Sequence, residues 1–213
     1  MRSDTKLLIF IGDGMGGRPM AGPETETTIE AANTPAMDRI AREGVCGMLD
    51  PIAPGRPAGS DTSHMAILGY EPEKHYRGRG PFEAKGVGID VKPGDVAFRC
   101  NFATVEGKKV VDRRAGRIKS GTEQLAEAIS REIPRIGDVQ IIFEPSVEHR
   151  AALVLRGQGL SHEISEVDPH DPDVDYLESH ALENAHDVAG ANKTARVINE
   201  FVKRAHEVLE DHP

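Results

Sequence analysis

The stretch LLIFIGDGMGGRP, residues 7–19, opens as an apolar run and breaks into a loop with four glycines and one acidic side chain. A short apolar run that ends on turn residues has the pattern of a buried strand, here spanning Lys6 to Ile11. Gly12, Gly14 and Gly17 match G-x-G-x-x-G, which invites a dinucleotide-binding reading. That reading needs a helix starting on the glycines, with its N-terminus facing a pyrophosphate. Pro19 and Pro23 instead follow in RPMAGPETE, which has no helical periodicity, and Asp13 would repel the phosphates. The dinucleotide reading is therefore set aside. A carboxylate at the C-terminal end of a parallel strand has two other uses. It can ligate a metal in the space the glycines leave, or it can close its own turn, and both remain open for Asp13.

Outward from this loop, Thr34 and Pro35 cap a short helix, AMDRIARE, that Gly44 closes. VCGML reads as a second strand. Pro51, Pro54 and Pro57 force an extended loop, and Ser60 to Leu68 looks helical with Gly69 as its stop. Strand, helix, strand, loop, helix is the opening of an α/β sheet. The texture then changes. VAFRCNF alternates as a half-buried strand should, and TVEGKKVVD reads as a hairpin over Glu106 and Gly107. Thr122 to Ile133 forms an amphipathic helix, and strands follow at Val139 to Phe143 and Ala151 to Leu155. Asp168 to Asp175 is an acidic, Pro-containing loop, and Ala191 to Leu209 is a long amphipathic helix. The expected organisation is a first unit over residues 1–104 and an α+β unit over 105–213.

The 213 residues carry a formal charge of −9, which argues against a nucleic-acid surface or an anionic membrane as partner. An anionic small substrate then needs a local basic pocket set against the global field. Cys46 and Cys100 have no C-x-x-C spacing and read as buried thiols of a reducing compartment. No signal peptide or membrane span is legible, so a cytoplasmic protein is expected.

GSDTSHMAILGY places Ser60, Asp61, Ser63 and His64 around a helix start. The orphan N–H groups and positive dipole end favour an alkoxide or a bound phosphate there. Ser60 is either an ordinary N-cap or a nucleophile, and His64, four residues on, shares its face. No G-x-S-x-G elbow is present, so this is not a Ser-His-Asp triad. DRRAGR brings together Arg113, Arg114 and Arg117, which either grip a carboxylate or phosphate or form a solvated turn. Arg79 and the pair His149–Arg150 are weaker candidates, and His170 reads as a loop residue or substrate contact.

LLIFIGDGMGGRP, PIAPGRPAGSDTSHMAILGY and YRGRGPFEAKGVGIDVKPGDVAFRCNFATV together resemble the archaeal-type cofactor-independent phosphoglycerate mutases of the alkaline phosphatase superfamily. The likeness continues through VDRRAGRI, EHRAALVLRGQGLS, DPH and NEFVKRAHEVLEDHP, essentially the whole chain. It implies an α/β fold, the N-terminal part of an alkaline-phosphatase-like core followed by an α+β insertion domain. It places a metal ligand at Asp13 and a metal-bound phosphoryl acceptor at Ser60, with His64 in the matching position. It puts Arg113, Arg114 and Arg117 in the domain that closes over the site, and these arginines, with Arg79 and His64, are expected to bind the substrate. It also implies two divalent ions, manganese, magnesium or zinc, and no 2,3-bisphosphoglycerate. The implied reaction interconverts 3-phosphoglycerate and 2-phosphoglycerate through a phosphoserine. Two other readings are a metal-dependent phosphatase or phosphonate hydrolase of the same superfamily, and a non-catalytic portion that binds a partner. The family's chain runs on past HP, where the second half of the core would supply the remaining Asp and His ligands. Asp168, His170 and Asp171 are not those ligands. The expected partner is thus a small phosphorylated substrate, with a C-terminal half or a further copy of the chain beside it.

Overall fold

The computed structural model describes residues 6–210 and 212, apart from 13, 20 and 23. Asp13, the proposed metal ligand, therefore lies outside the described residues. Contacts divide the chain into two compact units, residues 1–56 and 57–213. The division anticipated at 104 and 105 falls within the second of these.

In the first unit two helices form, α1 (Thr28–Ala31) and α2 (Pro35–Glu43). Thr27 and Glu30 make a capping box on α1, each satisfying a backbone N–H of the other. Pro35 begins α2 at a position that has no N–H to lose, and the N–H of Gly44 closes it on the Ile40 carbonyl. No helix begins on the glycines of residues 14–19, which agrees with setting the dinucleotide reading aside. The expected strands at Lys6–Ile11 and Val45–Leu49 do not form, and no parallel sheet is present among the described residues. A strand exists only through its ladder, and neither segment pairs with another strand among the described residues. Their apolar side chains stand in solvent, with Phe10 91% and Val45 fully exposed. Cys46 is likewise exposed rather than buried.

The second unit carries helices α3 (Ser60–Ile67), α4 (Pro72–His75) and α5 (Gly80–Gly86), then strands β1 (Val96–Asn101), β2 (Thr104–Glu106) and β3 (Lys109–Asp112). It continues with α6 (Thr122–Glu132), β4 (Arg135–Ile136), β5 (Val139–Pro145), β6 (Arg150–Arg156), β7 (Val174–Asp175) and α7 (Val188–Glu210). One antiparallel sheet has the order β1-β6-β5-β4, and a smaller one the order β2-β3-β7. The β2–β3 hairpin turns at Gly107, which takes a positive φ of 61° that other residues reach only with strain.

β6 decides how this unit packs. Its run AALVL is buried along both faces, as a central strand requires. Ala151, Leu153 and Leu155 point into a core with Ile129 of α6, with Ile133 just after it, and with Val197, Ile198 and Phe201 of α7. Phe143 of β5 joins it, edge-on to Phe102 and tilted against Phe201. Ala152 and Val154 face the other way, against Ala84 and Ile89 around α5. Cys100 of β1 is partly buried, and burial pushes its thiol up to about 12, so it is an inert packing group.

Gly80, the first residue of α5, lies on β1. A Cβ there would stand 1.9 Å from the Ala97 carbonyl oxygen, an atom of the sheet backbone that cannot yield. Gly80→Ala is expected to cost at least about 1–3 kcal/mol, or roughly 2–4 °C of Tm for each kcal/mol. A thermal melt superimposable on that of the parent would show that α5 does not seat on β1.

Candidate functional site

Two groups of side chains in the second unit carry chemistry. The first surrounds the start of α3. Gly59 is the N-cap, so Ser60 occupies the first helical position rather than capping, with its side chain at the exposed N-terminus. The Gly59 carbonyl accepts the Ser63 N–H at 2.9 Å and the Thr62 hydroxyl at 3.1 Å, which leaves the Ser60 hydroxyl outside the local network. Among the described residues the Ser60 hydroxyl has no hydrogen-bond partner. His64 folds back so that Nδ1 meets the Ser60 carbonyl. A carbonyl only accepts, so Nδ1 carries a proton in this contact.

Asp61 anchors this helix start. Its Oδ2 accepts the Tyr76 hydroxyl and the Arg79 Nε–H, the latter at 3.0 Å. Burial raises the Asp61 pKa, but the hydrogen bonds from Tyr76, the Thr62 N–H and Arg79 outweigh it and hold the carboxyl below its usual range. Arg79 is thereby tied to Asp61, a role its isolated place in GRG did not announce. No group of three or more His, Cys, Asp or Glu side chains is placed to hold a metal among the described residues. Ser60 Oγ and His64 Nε2 are chemically suitable donors, but two donors do not complete a divalent-metal site.

The second group is a cavity of about 280 Å³ at one end of the larger sheet. Arg99 and Asn101 reach it from β1, Arg113, Arg114 and Arg117 from the segment after β3, and Glu148, His149 and Arg150 from the turn into β6. Five arginines thus face one carboxylate in a protein of net charge −9. Arg99, Arg114, Arg117 and Arg150 make no ion pair with any described residue. Burial, then the charges of Arg79 and Arg150, lowers the Arg99 pKa against the pull of Glu83.

The backbone is bent to build this cavity. The Asp112 carboxylate accepts the N–H groups of Arg114 and Gly116, each at 2.8 Å, and those bonds lower its pKa. Ala115, Gly116 and Arg117 then run through positive φ at 43°, 65° and 55°. Glu148 at 56° and His170 at 64° are left-handed as well. Four of the five non-glycine residues with positive φ among those described therefore border the cavity or Arg113. Strain of about 1–3 kcal/mol each persists only where the surrounding structure over-determines the backbone.

Arg113 has a different task from its neighbours. It grips Asp168 in bidentate fashion, Nε to Oδ1 at 2.8 Å and Nη2 to Oδ2 at 2.6 Å. Its Nη2 also donates to His170 Nδ1 at 2.8 Å, so the ring's Nε2–H donates to Glu166. The DRRAGR loop is thus pinned to the acidic loop, and Arg114 and Arg117 are left free to face the cavity. Arg99 and Asn101 escaped the reading of the sequence. The available signal was their common face with Ala97 in VAFRCNF, where the period of two puts a lone Arg on the side away from the core.

A sequence model of the 2,3-bisphosphoglycerate-independent phosphoglycerate mutases matches residues 41–213. A 2,3-bisphosphoglycerate-independent phosphoglycerate mutase 1 of Methanothermobacter thermautotrophicus is 52% identical over 210 residues, which cover 98% of this chain and 51% of that protein. The mutase of Methanosphaera stadtmanae is 48% identical over 98% of the chain and 50% of its own length. The solved cofactor-independent phosphoglycerate mutase of Thermoplasma acidophilum aligns with a TM-score of 0.60 and 42% identity, covering 93% of this chain and 51% of that one. The chain spans about half the length of the curated relatives it matches. Over that half, the chain belongs to the 2,3-bisphosphoglycerate-independent phosphoglycerate mutase family.

Proposed function

We propose that the protein to which this chain belongs interconverts 3-phosphoglycerate and 2-phosphoglycerate, with Ser60 as phosphoryl acceptor and the arginine cavity as the clamp for the substrate's anionic groups. The observation that carries this reading is the cluster of unpaired arginines in an acidic chain, since a trianionic substrate supplies the charge they lack. In the first half-reaction Ser60 Oγ attacks phosphorus, the bond from phosphorus to the 3-oxygen breaks, and the serine proton passes to that oxygen. In the second, the 2-hydroxyl of the reoriented glycerate attacks the phosphoserine, the bond to Oγ breaks, and the proton returns to serine. No water is consumed. Exclusion of water from the phosphoserine separates a mutase from a phosphatase.

Within this reading Arg114 and Arg117, helped by Arg99 and Arg150, bind carboxylate or phosphate, while Arg113 holds the loop and Arg79 and His64 order the Ser60 end. Asp13 and Ser60 are proposed as part of the ligand set of two divalent ions, manganese, magnesium or zinc, completed by residues beyond the described ones. When bound, such ions supply charge neutralisation to phosphoryl transfer and lower the pKa of a coordinated hydroxyl. The fold proposed is the first part of an alkaline-phosphatase-like core with an α+β insertion. The insertion is proposed to span residues 105–213, with β1 joined to it through its pairing with β6. No helix among the described residues is long and apolar enough to cross a membrane, and a cytoplasmic location accords with the substrate.

An assay of the whole protein with 3-phosphoglycerate tests the proposal. Formation of 2-phosphoglycerate supports it, and release of inorganic phosphate as sole product replaces it with the phosphatase reading. Asp13→Asn is expected to weaken manganese binding by calorimetry while leaving the melting curve unchanged, because the ion needs an anionic oxygen that the loop glycines do not supply. Equal manganese affinity in both proteins would return Asp13 to a turn role.

A further inference from the structure

We propose that His149 is a charge-sensing positioning residue of the arginine cavity, taking a proton from solvent when a multiply charged anion enters and releasing it when the anion leaves. The inference rests on the reading of that cavity as the anion-binding subsite. Its geometry is specific to one ring. His149 is only 6% exposed, and its carbonyl accepts the Phe102 N–H at 2.7 Å, which fixes the turn into β6. Its Nδ1 is buried without a hydrogen-bond partner, and Glu148 Oε2 stands 3.9 Å away. A buried polar atom without a partner is uncommon and marks a group whose partner is conditional.

The charges around the ring explain the condition. Arg150 follows it on β6, Arg114 and Arg117 face it from the segment after β3, and Arg99 lines the same cavity from β1. Glu148 beside it and Asp112 at the end of β3 are the acids that act on or sense it. Burial, then the charges of Arg150 and Arg114, with a smaller share from Arg117, pushes the imidazole below its usual value against the pull of Glu148. An anion held by those arginines cancels the charges that keep the ring neutral. The protonated Nδ1–H is then a donor facing Glu148 Oε2 across 3.9 Å, within ion-pair distance of it.

The sign follows. The ring's titration midpoint is depressed in the free protein and raised in the complex. Between the two values the free ring is neutral and the bound ring is charged. Binding takes up a proton there, and affinity rises as pH falls through that window. A phosphate monoester, with its own second pKa near 6, can shed a proton on binding and mask the effect. The proton count is therefore read as a difference between proteins.

The experiment is isothermal calorimetry of 3-phosphoglycerate binding to the protein in buffers of different ionisation enthalpy. The parent is expected to take up as much as about one proton more than His149→Gln near neutral pH. The ratio of their affinities should change by up to about tenfold per pH unit across the window. Should the variant fold poorly, the His149 ring resonance in the parent gives the same answer, with a midpoint that rises on saturation with 3-phosphoglycerate. Binding with equal proton counts, or an unmoved midpoint, overturns the inference and leaves the arginine clamp standing. Absence of binding overturns both.

Discussion

Replacing Ser60 by Ala in the whole protein is expected to abolish phosphoenzyme formation and to lower turnover of 3-phosphoglycerate at least about a thousandfold, equivalent to about 4 kcal/mol in the barrier. The side chain sits at the first position of α3, exposed and outside the hydrogen bonds that Gly59, Thr62 and Ser63 make among themselves. Its loss should therefore leave stability within about 0.5 kcal/mol, as for most exposed positions without special contacts. The two readouts together matter. A large kinetic loss with an unchanged melt identifies a chemical role, whereas a parallel loss of both would make Ser60 a structural residue. Phosphopeptide mapping is the sharper control, because label found on Thr62 or Ser63 would remove Ser60 from the proposal.

The paired substitution Arg114→Ala with Arg117→Ala is expected to lower kcat/KM by roughly a hundredfold or more. Each lost charge-assisted hydrogen bond to substrate is worth about 1.5–3 kcal/mol, and each alone should cost roughly ten- to a hundredfold. Neither guanidinium is paired with an acid among the described residues, so removing both relieves mutual repulsion and should not lower Tm. Arg113→Ala should behave in the opposite way. It strips a half-exposed Asp168 of its bidentate partner and unpins the loop, so the melt should respond first, although an ion pair this open to solvent contributes only about 1 kcal/mol or less. Parental kinetics in the Arg114 and Arg117 variants would make DRRAGR an exposed turn and would remove the main support for the anion clamp.

The first unit adds an expectation about the 213-residue chain on its own. Leu7, Leu8, Phe10, Val45 and Met48 present apolar surface to solvent, and such surface recruits partners. The isolated chain should bind a hydrophobic dye strongly and associate as its concentration rises. A chain that stays monomeric and dark to the dye at high concentration would contradict that.

The elements that carry their own local code were legible in the sequence. The periods of VAFRCNF, of Thr122 to Ile133 and of Ala191 to Leu209 foretold β1, α6 and α7, because side-chain period and burial are coupled within a single segment. The helix at Ser60, and the arginines and glycine of DRRAGR, were legible for the same reason. The strands at Lys6–Ile11 and Val45–Leu49 were read from an apolar run, but a strand is completed by its neighbours, and no ladder reaches these segments. Tertiary structure alone decided which arginine does what. The sequence sets Arg113, Arg114 and Arg117 side by side as equals. Folding brings Asp168 to the first, 55 positions away, and leaves the other two facing Arg99 and Arg150 from separate strands. The sequence could specify the charges, but only long-range packing could determine which were neutralised and which were left without a counter-ion.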